Sequence, residues 1–315
     1  VLKWFGWLPG QRESRRVIGD YVLTESDLME GTTFDDRVAH GGWPMDRHPP
    51  GGIFSNEPPA DFLRLPDIYS IPLRSLYARD LANLFVAGRC ASCTHMAMSS
   101  TRLAATGAAM GQAVGTAAAM CCHRSCDPGD IVQKHISDLQ QQLLKDDQYI
   151  PDLPADDPAD LAGEAKIVAS SEKEGCGAAK VADGVTRFRN GDTHQWASDP
   201  GEDLPQWLEL RLPEPRTLRQ IHLTFDTGYE RPLTLTLSDT YNAKMVRGPQ
   251  PETVADYTVE IGSGDGFREG VAEEGNYQRK RIHDLEPIRG DRVRIRVERT
   301  NGDPSARIYE VRLYE

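Results

Sequence analysis

From about residue 165 onward, apolar and polar residues alternate in short runs, "WLELRL", "LRQIHLTF", "LTLTL", "DYTVEIG", "RVRIRVE" and "IYEVRLY", separated by Gly, Pro, Asp and Asn. Period two is the spacing of a half-buried antiparallel strand. In "RVRIRVE" the positions Val293, Ile295 and Val297 face one way and Arg292, Arg294 and Arg296 the other, so the arginine row reads as a solvated strand face. The pattern predicts an all-β sandwich. Before residue 152 the texture is different. "DIVQKHISDLQQQLLKDDQYIPD" puts Ile131, Val132, Ile136, Leu139 and Leu143 on one helical stripe behind Asp130 as cap, and "YIPD" ends it. "LFVAG" reads as a buried strand, and the polar loop after it leads into a helix with Gly107, Gly111 and Gly115 at four-residue spacing. Those glycines make a bare ridge that lets a helix backbone approach a neighbour closely. The run to Cys121 is long enough to raise the question of a membrane span. Ala and Gly carry little transfer free energy, however, and Gln112 sits inside it, so a closely packed soluble helix is expected. Its N-terminus, around Ser100 to Ala104, presents unpaired N–H groups and a positive dipole end, suited to an anion or an electron-rich ring.

Between the two textures "DLPADDPADLAGEA" is Pro, Asp and Ala without periodicity and reads as a linker over residues 152–164. The domains expected are therefore 1–151 and 165–315, and the second should fold alone. The length of 315 residues suits two domains, and 39% hydrophobic content is enough for packed cores. A formal net charge of −12 argues against nucleic acid as partner. No signal peptide, twin-arginine segment or membrane span is visible, yet the chain opens on Val1 rather than Met, which reads as part of a longer polypeptide.

The six cysteines are at 90, 93, 121, 122, 126 and 176, and CxxC followed by "CCHRSC" invites a metal reading. A helix over 101–120 would hold the two clusters about 30 Å apart, which excludes one shared site. Buried or redox-silent thiols are expected, with a local disulfide such as Cys122 to Cys126 open if the compartment is oxidising. The cysteines decide no compartment; a secreted or periplasmic setting is expected over a cytoplasmic one.

Two resemblances add to this reading. "AKIVASSEKEGCGAAKVADGVTRFRNGDTHQWASD" followed by "PQWLELRLPEPRTLRQIHLTF", with the Ala182-Asp183-Gly184 turn, Trp196 and the closing "YEVRLY", resembles a discoidin-like domain of the jelly-roll type, over nearly all of 165–315. The resemblance implies a β-sandwich, often with a structural calcium near the Asp-Gly turn, and often glycan binding through its loops. Asp183 and Glu310 are the candidate metal ligands, with loop carbonyls; an Asp-Gly turn without an ion is the alternative. Tyr229 and Tyr241 are candidate stacking platforms for sugar, or ordinary half-buried tyrosines.

The strand ending Ala87-Gly88-Arg89 and the helix after it resemble the C-terminal flavin-binding segment of FAD-dependent oxidoreductases of the glutathione reductase and fumarate reductase superfamily, with Arg in place of the usual acid. Closer still is a bacterial family of FAD-dependent oxidoreductases whose chains carry, in this order, "RESRRVIGDYVLTESD", "HGGWPMDRH", "YSIPLRSLYARDLANLFVAGRC" and "THMAMSSTRL". That likeness covers residues 9 to about 151. It implies a flavin-contacting set of Gly88, Arg89, Cys90, Ser100, Thr101, Arg102, Leu103 and Thr106. The GxGxxG turn that binds the ADP half of FAD is absent from the sequence, and "GSGDG" at 262–266 is a turn within the β region. The fold class expected is thus α/β, a partial FAD-binding fold lacking its N-terminal dinucleotide-binding half, plus an all-β jelly-roll sandwich. That missing half is the expected partner, whether cleaved from this chain or supplied by another.

For the chemistry, His40, Asp46 and His48 in "HGGWPMDRH" join two imidazoles with a carboxylate, and His48 is the first choice for a general base. Loop histidines bonded to backbone carbonyls are the alternative. Arg102, a cation at a helix start, opposes the dipole there and is expected to serve the site. Arg12, Arg15 and Arg16 suit an anion, or an ion-pair cluster with Glu13 and Asp20. His95 and Cys93 precede the helix, where they would line the site or link flavin covalently. The function expected is oxidation of an alcohol in a sugar or glycan-derived compound by a flavin, with a carbohydrate-binding-like domain appended. The alternative is a non-catalytic glycan-binding protein on a degenerate oxidoreductase scaffold.

Overall fold

Short capped helices and two small antiparallel ladders make up the first of two compact units, Val1–Leu153, in a computed structural model; the second unit is Pro154–Glu315. The structure describes Lys3 and residues 15–231, 236, 238–264 and 266–315.

In the first unit, helix α1 (Glu25–Glu30) opens with a reciprocal cap: Thr24 Oγ1 accepts from the Asp27 N–H at 3.3 Å, and Asp27 Oδ2 accepts from the Thr24 N–H at 2.8 Å. Gly31, with φ 65°, closes it. Strand β1 (Arg37–Gly41) pairs antiparallel with β4 (Tyr69–Pro72), and between them β2 (Met45–Arg47) pairs with β3 (Asp61–Leu63). The expected strand "LFVAG" is only a short extended segment. It makes one bridge, Tyr77 to Phe85, flanked by bonds from the Ala78 N–H to the Leu84 carbonyl and from the Val86 N–H to the Leu76 carbonyl, and Leu84 is exposed.

The long helix is broken near its start into α2 (His95–Thr101) and α3 (Ala104–Arg124), with Arg102 closing one and Leu103, in extended conformation, opening the other. No helix among the described residues is long and apolar enough to cross a membrane. Of the glycine ridge, only Gly107 meets a close backbone, since a Cβ there would lie 3.5 Å from the Gly88 Cα; at Gly111 and Gly115 it would meet nothing within 4 Å among the described residues. The stripe expected as one helix is two, α4 (Pro128–Lys134) and α5 (Ile136–Lys145), which part at His135. The cap is Asp127, ahead of Pro128, and Asp130 is its partner three residues on. Ile131, Leu139 and Leu143 are fully buried, as their stripe requires.

In the second unit the alternation becomes one antiparallel sheet of seven strands. These are β5 (Lys166–Ala169), β6 (Trp196–Ala197), β7 (Gln206–Phe225), β8 (Val254–Ser263), β9 (Gly266–Glu273), β10 (Lys280–Thr300) and β11 (Arg307–Tyr314), with a single-turn helix α6 (Asp239–Asn242) before β8. The runs "WLELRL" and "LRQIHLTF", expected as separate strands, form the single long β7. Its ladder to β10 breaks between Arg211 and Arg216, at the Pro213 and Pro215 corner where proline offers no N–H. On one side of that corner β7 pairs with β5 and with the half of β10 that meets β8; on the other it pairs with β11 and the first half of β10. The bent pair β7 and β10 thus serves both layers of a sandwich, and one core joins them: Leu208, Leu210, Val293 and Ile295 from one side, and Ile221, Leu223, Val311 and Leu313 from the other. The run "LTLTL" falls, Thr236 excepted, outside the described residues.

The stretch read as a linker is largely held on this second unit. The Ala155 N–H donates to the Gly184 carbonyl at 2.8 Å, Asp160 Oδ1 accepts from the Leu313 N–H at 2.9 Å, and the Tyr314 hydroxyl donates to Asp157 at 2.9 Å. Ala162 is buried in the core. Gly184 has φ 78°, and a Cβ there would come within 2.6 Å of the Ala155 carbonyl oxygen, so the Asp-Gly turn is the seat of this strap.

Candidate active site

A cavity of about 320 Å³ in the first unit is lined by Asp46, Arg47, His48, Arg89, His95, Met96, Met98, Ser99 and Arg102. The β2–β3 ladder delivers Asp46, Arg47 and His48. Helix α2, capped by Thr94 Oγ1 accepting from the Ala97 N–H at 3.1 Å, supplies His95 to Ser99. The break between α2 and α3 places Arg102 at the rim. A 3-10 turn, Gly88–Cys90, carries Arg89.

Arg102 Nη2 donates to Asp46 Oδ2 at 2.5 Å, and both side chains are largely buried, at 13% and 14% exposure. His48 Nε2 lies 3.3 Å from Asp46 Oδ2 and 3.4 Å from Arg102 Nη2. His48 Nδ1 lies 2.8 Å from the Pro59 carbonyl oxygen. A carbonyl only accepts, so Nδ1 carries the proton; in the neutral ring Nε2 then holds the lone pair, on the side of Asp46 and Arg102. Asp46 Oδ1 is buried and has no hydrogen-bond partner among the described residues.

Of the residues proposed from sequence, Asp46, His48 and Arg102 come together here, with Arg89 and His95 in the same lining. His40 does not join them. It sits on β1 with Nδ1 3.0 Å from the Tyr149 carbonyl oxygen and its ring edge-on to Tyr149 at 5.2 Å, tying β1 to the segment after α5. Among the expected cofactor contacts, Gly88 and Cys90 flank Arg89 on the turn. Gly88 takes φ 64° and its N–H points to Met110 Sδ at 3.2 Å. Ser100 is fully buried and donates to the Trp43 carbonyl at 2.5 Å beside the Tyr69 hydroxyl at 2.7 Å. Thr101 and Thr106 are buried as well, so these three hydroxyls support the helices rather than line the cavity. Leu103 opens α3 with no side-chain cap, which leaves the first-turn amides to other acceptors.

Cys93 is buried with its sulfur 4.0 Å from Thr101 Oγ1, and burial pushes its thiol up, which keeps it protonated and unreactive. His95 lines both this cavity and a second of about 640 Å³ with Arg16, Val17, Ile18, Val22, Cys93 and Thr94. Arg12 and Glu13 lie outside the described residues. Arg16 Nη1 reaches Met98 Sδ at 3.5 Å, and Asp20 accepts instead from the Tyr77 hydroxyl at 2.6 Å. It is Cys121, rather than Cys122, whose thiol neighbours Cys126; burial and that neighbour push it up to about 11. Sequence reasoning missed the Pro59 carbonyl, which belongs to a "PP" turn with no periodic signal, and the lining methionines Met96 and Met98.

In the second unit the calcium ligands are not brought to a common cation. Glu310, 4% exposed, accepts from Arg312 at 2.7 Å, Lys280 at 3.0 Å and Thr224 at 3.3 Å. Burial would raise its carboxyl, yet Lys280 and Arg312 hold it below the usual carboxylate range. Asp183 Oδ2 lies 2.8 Å from His194 Nδ1, and its Oδ1 accepts from the Val185 N–H at 2.9 Å. Among the described residues no three His, Cys, Asp or Glu side chains are grouped to hold a metal ion. This donor set does not fit calcium, because its best carboxylate already faces two cations. Tyr229 is half-exposed with Arg187 and Arg279 each 4.8 Å from its ring centre, and Arg279 also lies 5.0 Å from the Tyr309 ring. Tyr241 is partly exposed, in α6.

Comparison with known proteins gives a family match for each unit. Residues 1–143 match the FAD dependent oxidoreductase family model. Within this matched segment fall the cavity, the Gly88–Cys90 turn and the start of α3. Residues 160–236 match a domain of unknown function, DUF7402. No curated protein matches the chain. Among solved structures, the family 32 CBM of Clostridium perfringens NanJ in complex with galactose is 17% identical, covering 50% of this chain and 98% of its own, with TM-score 0.39. A chitosan-binding module of a Paenibacillus sp. IK-5 chitosanase/glucanase is 18% identical over 50% and 98%, TM-score 0.38. A fucose binding module of Streptococcus pneumoniae is 16% identical over 50% and 97%, TM-score 0.37. The sandwich of the second unit rests on its own strand order and shared core.

Proposed function

We propose that the first unit is the substrate-facing part of a flavin-dependent oxidoreductase that oxidises an alcohol of a sugar or glycan-derived compound, and that the second unit binds carbohydrate. The observation that carries this reading is the His48, Asp46 and Arg102 constellation in a cavity within the family-matched segment. The residues fit the ring end of FAD: Gly88 brings bare backbone, and α3 opens without a side-chain cap, leaving the N–H groups of its first turn to an acceptor. They do not fit its ADP end, since residues 1–315 contain no GxGxxG turn. That end belongs to a dinucleotide-binding half outside these residues, so the chain alone is not expected to retain FAD.

When bound, flavin supplies the two-electron acceptor for the carbinol hydride. His48 Nε2 takes the hydroxyl proton, with Nδ1 anchored by Pro59. Asp46 balances the imidazolium that forms, and Arg102 holds Asp46 in place. In the flavin-loaded enzyme, His48→Ala is expected to slow flavin reduction by substrate about 100-fold, the scale of a lost general base, with Asp46→Asn intermediate. Normal reduction in His48→Ala, followed by stopped-flow flavin absorbance, would overturn the assignment.

A further inference from the structure

The cavity's charge is unlike that of the chain. The protein carries a net −12, yet the lining sets three guanidiniums, of Arg47, Arg89 and Arg102, against Asp46 alone. Two of the guanidiniums are neutralised, Arg102 by Asp46 at 2.5 Å and Arg47 by Asp61 at 2.8 Å. Arg89, an exposed residue of the lining, has no hydrogen-bond or ion-pair partner among the described residues. Its backbone, by contrast, is fixed: the turn that carries it closes with the Ala91 N–H on the Gly88 carbonyl at 3.1 Å, and the Gly88 N–H is held at Met110 Sδ.

We propose that Arg89 is the specificity residue of this site and that it binds the carboxylate of an acidic sugar, a uronic or aldonic acid. The proposal rests on the flavoenzyme reading above and narrows its substrate class. A guanidinium presents a planar fork of donors matched to a carboxylate and is weakly hydrated, so an unpaired one in a cavity gains most from a planar anion. The opposite requirement holds at Asp46, whose carboxylate repels an anion and suits a hydroxyl beside His48. The lining thus offers a hydroxyl acceptor at Asp46 and His48 and an anion partner at Arg89. A neutral sugar satisfies only the first.

A phosphate of the cofactor offers Arg89 the same anionic chemistry, and the experiment separates the two. Binding of D-glucuronate, D-glucose and ADP to the full chain is measured by calorimetry at matched ionic strength. Glucuronate is expected to bind roughly tenfold or more tighter than glucose, the scale of one charge-assisted hydrogen-bonded contact. Arg89→Met should remove that advantage and leave glucose unchanged, while Arg89→Lys, which keeps the charge and loses the fork, retains part of it. Equal affinity for the two sugars, or an advantage that survives Arg89→Met, overturns the proposal. So does an Arg89-dependent affinity for ADP without any for glucuronate, which would assign the residue to the cofactor. Arg89-dependent glucuronate binding, with no reduction of flavin by glucuronate in the flavin-loaded enzyme, overturns the oxidoreductase reading and supports this one. Flavin reduced equally well by glucose and glucuronate does the reverse.

Discussion

A fully buried carboxylate shows how one residue's surroundings set its chemistry. Glu209 lies on β7 with Arg292 at 2.9 Å, Arg294 at 2.7 Å and Arg211 at 2.8 Å. Burial alone would raise its carboxyl, but the hydrogen bonds from Arg211, Arg294 and Arg292 hold it below the usual range. Glu310 is held down in the same way by Lys280 and Arg312. A folded value below the unfolded one means the unfolded chain takes up protons first as pH falls. The stability these two groups contribute is therefore complete above the unfolded carboxylate value of about 4.3 and is lost as pH drops through the folded values. Thermal melts across pH should show the second unit weakening on that acid limb. Glu209→Gln, less stable at neutral pH because it leaves the arginines uncompensated, should lose less between pH 5 and 3. A variant with an acid limb as steep as the parent's would contradict the account.

At the scale of elements, β11 and the Asp-Gly turn are joined by the strap, and the Glu310 carboxylate is taken by Lys280 and Arg312. Calcium or a chelator is accordingly expected to leave the second unit's melting temperature unchanged, whereas an ion bound by Asp183 and Glu310 would shift it upward by mass action. A calcium-dependent rise in melting temperature would restore the metal site. The elements also show what could be read in advance and what could not. Strands β8, β10 and β11 were legible because period two is a local property of neighbouring residues, as in Val293, Ile295 and Val297. The joining of "WLELRL" to "LRQIHLTF" across two prolines was not, since it depends on what pairs on either side of the corner. Lys280 stands 30 residues from Glu310, so the cation that displaces calcium carries no signal near the motif that suggested it. In the candidate site, Asp46 and His48 were visible as residue types in a Gly-Pro loop. Their closure onto Arg102, 56 and 54 positions away, and onto the Pro59 carbonyl follows from a helix break that no Pro or Gly announces.

At the scale of the whole molecule, two units with separate cores divide between Leu153 and Pro154. A fragment of residues 165–315 would lack the strap and lose the Ala155, Asp157 and Asp160 hydrogen bonds together with buried Ala162. Compared with residues 154–315 it should be weaker by about 3 kcal/mol, roughly 10 °C in melting temperature, at about 1 kcal/mol for each hydrogen bond lost. Equal melting of the two fragments would make the strap ornamental. The same strap has a mechanical meaning. Because it binds alongside Leu313 and Tyr314, the first and last residues of the second unit lie side by side. Tension applied between those ends loads the hydrogen bonds there one after another, as in opening a zipper, instead of all together, as in sliding two strips apart. A sandwich braced internally by two strands common to both layers is, when pulled by its own ends, a soft one.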